Sequence, residues 1–370
     1  MGAIERFLDQ VRTIDDPRIE RCKLHPLPEI FLATLAGVIG NAEGWQDIED
    51  FAAAKLEVLR EYLPYVNGVP SDDTLRRFFR TLDPKRFQEC FMAWVRTLRA
   101  LPEASVIAID GKTSRGSHDG AASALHLVSA FAAEARLVLG QEKVADKSNE
   151  ISAIPELLDL LDIAGHVITI DAMGTQKNIA AKIVEKEADY VLALKGNQST
   201  LHDDVRLFFE QPPSDALFHT HEETDKGHGR IEVRRCRVTG DIAWLRDTHD
   251  WSGLASIVRI ESTRMIDGEL SSETRFYITS LPPDPVRLLH AVRSHWAIEN
   301  SLHWVLDMTF GDDVSRIRKD HAPINLSMIK HAALNLLQQA KQKRQSIRRL
   351  RNQAGWDSTT LRRILTYANL

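Results

Sequence analysis

Three carboxylates carry the chemistry that this sequence suggests. Asp110 ends the run Val106-Ile107-Ala108-Ile109, and Asp171 ends the run Val167-Ile168-Thr169-Ile170. Both runs are apolar and rich in β-branched residues, the composition of buried strands, so each aspartate is expected at a strand end. Glu299 lies in the stretch from His295 to Asp307. There Ile298, Leu302 and Val305 make an apolar stripe at helical spacing, while His295, Glu299 and His303 recur every four residues on another face. A carboxylate between two imidazoles is costly to bury without a partner, and the two aspartates are natural partners. Three carboxylates converging on one point repel one another in a low dielectric, a penalty that divalent cations remove. Oxygen ligands favour Mg²⁺ or Mn²⁺. Two such ions about 3.5–4 Å apart hold the attacking and leaving oxygens of an in-line phosphoryl displacement. In that arrangement Asp110 bridges the two ions, and Asp171 and Glu299 each complete one.

Other chemistries fit less well. A zinc hydrolase using His295, Glu299 and His303 fails on length: on a straight helix the three span about 12 Å, too far to share one ion. His303 and Trp304 are instead expected to pack or hydrogen-bond beside the site. The sequence has no GxxxxGK loop for nucleotide phosphates and no G-x-S-x-G elbow. The polar residues around the carboxylates suit a phosphodiester substrate. Lys112 and Lys195 are candidates for a non-scissile phosphate, and Gln176 and Asn197 sit near strand ends, where ligands of open α/β sheets gather. Arg76 and Arg80 share one face of a helix that Ser71 caps, suited to a phosphate backbone. Lys226, His228, Arg230 and Arg234 form a basic segment, Arg293 and His295 lie on the Glu299 helix, and Lys341 to Arg351 is a basic run without an acid. The competing reading of each lone cation is a solvated surface group.

The elements that must position these groups follow from periodicity. Helical patterns run over 28–40, 45–62, 72–81 and 84–100, punctuated by prolines. After Pro102 the pattern becomes strand-like over 104–112, 124–132 and 136–145, an antiparallel meander with a turn from Gly116 to Ala122. Ser148-Asn149-Glu150 opens a helix carrying Ile154, Leu157, Leu158 and Leu161. Then come a strand at 167–171, a helix at 175–187 and a strand at 190–195. A meander followed by crossover units predicts a mixed sheet with helices on both faces. Residues 210–285 break the alternation and read as a β-rich insertion, with strands at 232–238, 255–265 and 274–279. The helical period returns after Pro285, and a further helix covers 323–341. Four parts result: a helical domain at 1–100 with candidate DNA contacts, a first core segment at 101–209, the insertion at 210–285, and the core completion with basic helices at 286–370.

Composition narrows the class. A chain of 370 residues with 43% hydrophobic and 27% charged residues is an ordinary globular protein with room for two or three domains. No apolar run reaches the length of a membrane span. The first residues lack the basic-then-apolar order of a secretory signal, so a cytoplasmic protein is expected. Three scattered cysteines argue for a reducing compartment and against a disulfide framework or a Cys-based zinc site. The net charge of −5 gives no global signature of nucleic-acid binding, so any DNA contact must rest on local basic patches.

Five motifs in order carry a resemblance. They are Ile109-Asp110-Gly111-Lys112; Ile170-Asp171-Ala172 with Gln176; Lys195-Gly196-Asn197-Gln198; Gly227-His228-Gly229-Arg230 with Glu232 and Arg234; and the stretch from His295 to Asp307. Together they resemble the DDE transposases of bacterial insertion sequences, most closely the ISAs-type group with the H-repeat-associated proteins. Gly68-Val69-Pro70-Ser71-Asp72-Asp73-Thr74, with Arg76 and Phe79, is similar to that group's helical domain. The resemblance implies a ribonuclease-H-like core with a β-strand insertion before the last catalytic helix. It implies a metal-dependent triad of Asp110, Asp171 and Glu299, cleavage at the ends of a mobile DNA element, and joining of the 3′-hydroxyl to target DNA. Partners implied are terminal repeats, target DNA and a second copy of the chain in a synaptic dimer. The wider superfamily has Tyr, Arg and Lys around the glutamate; this chain has Val292, His295 and Leu306, so those helper roles do not carry over. A nuclease on the same core without strand transfer, and a DNA-binding relic, are the alternatives.

Overall fold

The computed structural model describes residues 2–118, 124–145, 149–227 and 229–367, without the side chain of Cys22. His228, a candidate DNA contact, and most of the turn at 116–122 lie outside the described residues. The order of elements begins with α1 (Ala3–Val11), α2 (Leu27–Ile39), α3 (Trp45–Ala54), α4 (Leu56–Leu59), α5 (Asp72–Thr81) and α6 (Pro84–Leu98). Next come β1 (Val106–Ser114), β2 (Leu125–Ala132), β3 (Leu137–Lys143), α7 (Glu150–Leu160), β4 (Val167–Ile170), α8 (Lys177–Glu185), β5 (Asp189–Leu194) and α9 (Ser199–Glu210). The strand-rich part holds β6 (His219–Gly227), β7 (Arg230–Thr239), α10 (Ala243–His249), β8 (Ser256–Ile266) and β9 (Glu269–Thr279). The chain ends with α11 (Pro285–Ile298), a π-helical turn (Glu299–His303), α12 (Trp304–Phe310), α13 (Ala322–Ala340), α14 (Ile347–Trp356) and α15 (Ser358–Leu365).

The fold is mixed α/β, with one nine-stranded sheet in the order β3-β2-β1-β4-β5-β9-β8-β7-β6. Strands β1, β4 and β5 run parallel, whereas β2 with β3 and the ladder β5-β9-β8-β7-β6 are antiparallel. The strands expected in the meander, the crossover units and residues 210–285 are present, with several corrections. Residues 210–285 hold four strands and a helix rather than three strands. The sequence reading passed over β6 because His219-Thr220-His221-Glu222-Glu223-Thr224-Asp225 offers no apolar alternation. A charged edge strand of this kind is one way proteins discourage edge-to-edge pairing. The predicted helix at 45–62 is two helices, α3 and α4, and α1 was not foreseen. No helix among the described residues is long and apolar enough to cross a membrane.

Contacts divide the chain into two compact units. The first takes Met1–Leu101, Gly111–Asp146 and Glu299–Leu370. Its centre is α13, buried along nearly its whole length. Around it an aromatic cluster packs edge-to-face: Phe31 meets Phe78, Phe79 and Phe87 at 5.0–5.7 Å, and Trp45 stacks on Phe79. Such pairs add about 0.5–1.5 kcal/mol each beyond simple burial. Two asparagines on α13 bond to backbone groups of neighbouring elements. Asn335 accepts from the Val138 N–H at 2.8 Å and donates to its carbonyl at 2.9 Å, pairing the free edge of β3. Asn325 donates to the Phe79 and Leu82 carbonyls at the end of α5. The Ser71 hydroxyl caps α5 by accepting from Thr74 N–H, as its sequence predicted. Arg351 departs from the basic-run reading. It is buried, donates to the carbonyls of Val38 and Thr309, and lies over the Phe310 ring, so it ties α14 to α2 and α12 rather than facing a phosphate. Burial holds its guanidinium at about 10.

The second unit takes Pro102–Asp110 and Lys147–Ile298. Its strands bury Val106–Ile109, Val167–Ile170 and most of β5, the continuous apolar runs that parallel strands covered on both faces require. Helices α7 and α8 pack on each other, and α9 meets β9 through Phe209 and His202 against Phe276. Asp284 starts α11 by accepting from the N–H groups of Val286 and Arg287.

Candidate active site

Register sets the two aspartates. In the parallel pair β1–β4, Ile109 lies opposite Ile170. Asp110 and Asp171 each follow by one residue, and both are half-buried. Asp171 lies just past the end of β4, as expected, where open α/β sheets gather ligands. β1 instead runs on to Ser114, so Asp110 sits inside its strand, where the buried run gives way, rather than at a strand end. The loop after Asp171 is tightly held. Asp171 Oδ1 accepts from the N–H of Met173 at 3.0 Å and Gly174 at 3.3 Å. The Thr175 hydroxyl donates to the Ala193 carbonyl at 2.7 Å, and the Asn197 amide donates to the Ala172 carbonyl. Gln198 donates to the Thr175 carbonyl at 3.0 Å, and Gln176 to that of Met173 at 3.2 Å. Asn197 and Gln176 therefore shape the Asp171 loop. An added Cβ at Gly174 would meet Ile170 at 2.3 Å, so only glycine allows this turn to close over β4.

The helix expected over 295–307 is interrupted. The π-helical turn at Glu299–His303 separates α11 from α12. π-turns insert one extra residue into an α-helix and are frequent at functional sites. In this turn His303 is buried, and its Nδ1 lies 3.5 Å from Glu299 Oε2, a carboxylate whose side chain is 48% exposed. Glu299 and His303 thus present a carboxylate and an imidazole from one turn of the first unit. Such a pair suits a divalent cation, with the nitrogen broadening the choice beyond Mg²⁺. The sequence reading placed His303 beside the site; it missed how near, because four-residue spacing on a straight helix and on a π-turn look alike. His295 Nδ1 lies 3.0 Å from the Thr169 hydroxyl on β4.

The candidate DNA contacts divide by what they touch. Lys195, Lys226 and Arg230 are exposed, and Arg230 lies 3.5 Å from Glu232. Arg76 pairs with Asp72 and Asp73, and Arg80 with Asp320. Arg234 bridges Asp225 and the buried Glu232, while Arg293 on α11 holds Glu223 and Asp225 of β6. Lys112 is nearly buried and faces Asp307, Asp312 and Asp313. Of these three, Asp307 closes the His295–Asp307 motif, whereas Asp312 and Asp313 carry no sequence pattern of their own. Gly311, with a positive φ of 59°, ends α12 and turns the chain into Asp312.

Two family models match the chain: one described as "Transposase DDE domain" over residues 101–336, and one described as "DDE_Tnp_1-associated" over residues 8–95. A candidate transposase of Escherichia coli O157:H7, YncI, is 41% identical over 98% of this chain and 95% of its own length. An H repeat-associated candidate transposase of Escherichia coli K12, YhhI, is 38% identical over 99% of both. A shorter Escherichia coli K12 protein named as an inactive transposase, YbfQ, is 36% identical over 20% of this chain and 88% of its own length.

Proposed function

The chain belongs to the transposase DDE-domain family, and from that premise we propose that it cuts the ends of a mobile DNA element and joins the freed 3′-hydroxyl to target DNA, using Asp110, Asp171 and Glu299. The observation that supports this reading is the β1–β4 register, in which Ile109 lies opposite Ile170 on adjacent parallel strands, with Asp110 and Asp171 the next residue on each. The strand order β3-β2-β1-β4-β5 supports a ribonuclease-H-like core, with β6–β9 as its insertion.

Asp110, Asp171 and Glu299 would hold a pair of divalent cations, Mg²⁺ or Mn²⁺, with His303, 3.5 Å from Glu299, close enough to ligate or to orient that carboxylate. Bound there, such cations supply charge for the attacking and leaving oxygens of phosphodiester exchange. The chain's own residues do the rest. The Asp171 turn fixes one carboxylate by two N–H bonds. Thr169 holds the His295 imidazole against β4. Lys195 and Lys226 are exposed towards a DNA backbone. Arg76, Arg80, Arg230, Arg234 and Arg293 must exchange carboxylate partners to reach phosphates. Two element ends brought together require a dimer on DNA, and action on bacterial DNA sets the site of work at the nucleoid.

A nuclease without strand transfer is the second reading, and the inactive name of YbfQ makes a relic the third. The test supplies the purified chain with duplex from the ends of its own element, a supercoiled target plasmid and Mg²⁺ or Mn²⁺. The proposal expects cleaved ends and joined products, with joining blocked when the donor 3′ end is dideoxy. Cleavage without joining would convert the reading to a nuclease. Neither product would leave a relic.

A further inference from the structure

A buried charged cluster in the first unit has no part in the chemistry above. Lys112 Nζ on β1 lies 2.6 Å from Asp307 Oδ1 on α12 and 3.5 Å from both Asp312 Oδ2 and Asp313 Oδ1. Its side chain is 10% exposed. Asp312 also accepts from the Ser114 hydroxyl at 2.5 Å and from Lys330 on α13 at 2.7 Å. The Arg115 N–H donates to Asp313 Oδ1 at 3.0 Å, and Arg318 donates to the Gly116 carbonyl at 2.8 Å. A Cβ added at Gly116 would meet the carbonyls of Ser315 and Asp313 at 2.5 and 2.6 Å, so the two backbones touch. From Lys112 to Gly116, the end of β1 is thus stitched to the segment that follows the Glu299–His303 turn.

The local charge argues against a phosphate at Lys112. Lys112, Lys330 and Arg115, whose Nε lies 3.9 Å from Asp313, face three aspartates, so the cluster is balanced and offers an anion no surplus positive charge. A phosphate drawn to Lys112 would meet three carboxylates and strip a nearly buried ammonium of its partners, a loss the new contact does not offset.

We propose that Lys112 is a positioning residue. Held by Asp307, Asp312 and Asp313, it fixes the end of β1 against α12 and thereby sets the donor geometry of the Glu299–His303 turn for a divalent cation. The inference rests on the metal reading of that site. Groups that orient metal ligands typically cost about 10–100-fold in metal affinity when removed.

The experiment measures Mn²⁺ binding to the DNA-free chain, and in parallel the salt dependence of binding to a random-sequence duplex. Both are run for the wild type, Lys112→Met, Lys112→Arg, Asp307→Asn and the Lys112→Met/Asp307→Asn double variant. Mn²⁺ affinity is expected to fall about tenfold in Lys112→Met and in Asp307→Asn, and no further in the double variant, because the two act as one unit. Lys112→Arg is expected to recover part of it. Duplex affinity and its salt slope should stay within about twofold of wild type. A salt slope reduced by about one, with Mn²⁺ binding intact, would overturn the proposal in favour of a phosphate contact. Asp307→Asn removes the anchor while keeping its shape, so it decides the matter even if Lys112→Met fails to fold. Wild-type Mn²⁺ binding that Glu299→Gln abolishes and Asp307→Asn leaves intact overturns the positioning role alone. No Mn²⁺ binding by the wild type overturns the metal reading itself.

Discussion

The Asp312 carboxylate illustrates how one residue is tuned by its surroundings. Burial alone would raise its pKa; the Lys330 ammonium, the Ser114 hydroxyl and Lys112 outweigh burial and hold it at about 2. Lys112 answers from the other side: burial would lower it, yet Asp307, Asp312 and Asp313 keep it above an ordinary lysine. Because the folded pKa of Asp312 is depressed, its stabilisation is complete above the unfolded value near 4 and is lost as pH falls from there towards 2. Its size is about 2 kcal/mol. Urea unfolding of the wild type and Asp312→Asn across pH 2–7 should give stability curves that converge by about 2 kcal/mol as pH drops from 4 to 2. A constant gap throughout would refute the coupling. This cluster was not legible in the sequence, because Lys112, Asp312 and Lys330 are brought together by tertiary packing and none carries a local pattern.

At the level of elements, the π-turn has the largest consequence. It carries one more residue than an α-helix needs, and it holds both Glu299 and the buried His303. Deleting Asn300 would let 285–310 run as one α-helix with both flanks keeping their buried faces. The expected outcome is a folded protein, at least as stable to heat as wild type, whose cleavage activity falls by at least a hundredfold. Retained activity would show that the turn is incidental. The buried strand runs, by contrast, were plain in the sequence: Val106–Ile109 and Val167–Ile170 are apolar, β-branched and followed by an acid. Their parallel register, and the extension of β1 to Ser114, were not, because both are set by pairing partners distant in sequence. Strand β6 and the π-turn were hidden for physical reasons. An edge strand need not alternate, and periodicity read against a straight helix cannot register an inserted residue.

Over the whole molecule, the family relationship covers the chain from residue 8 to residue 336 in two matched segments. A net charge of −5 places the burden of DNA binding on local cations, many of which are paired with carboxylates. The central claim is that Asp110, Asp171 and Glu299 form the catalytic set, and that His303, 3.5 Å from Glu299, only orients it. One measurement separates these: strand joining from a pre-cleaved donor with a free 3′-hydroxyl, in Mg²⁺, by the wild type, Asp171→Asn and His303→Asn. The account predicts that Asp171→Asn loses joining by at least about a thousandfold, while His303→Asn, an orienting change, loses about ten- to a hundredfold. Joining retained by Asp171→Asn and abolished in His303→Asn would contradict it.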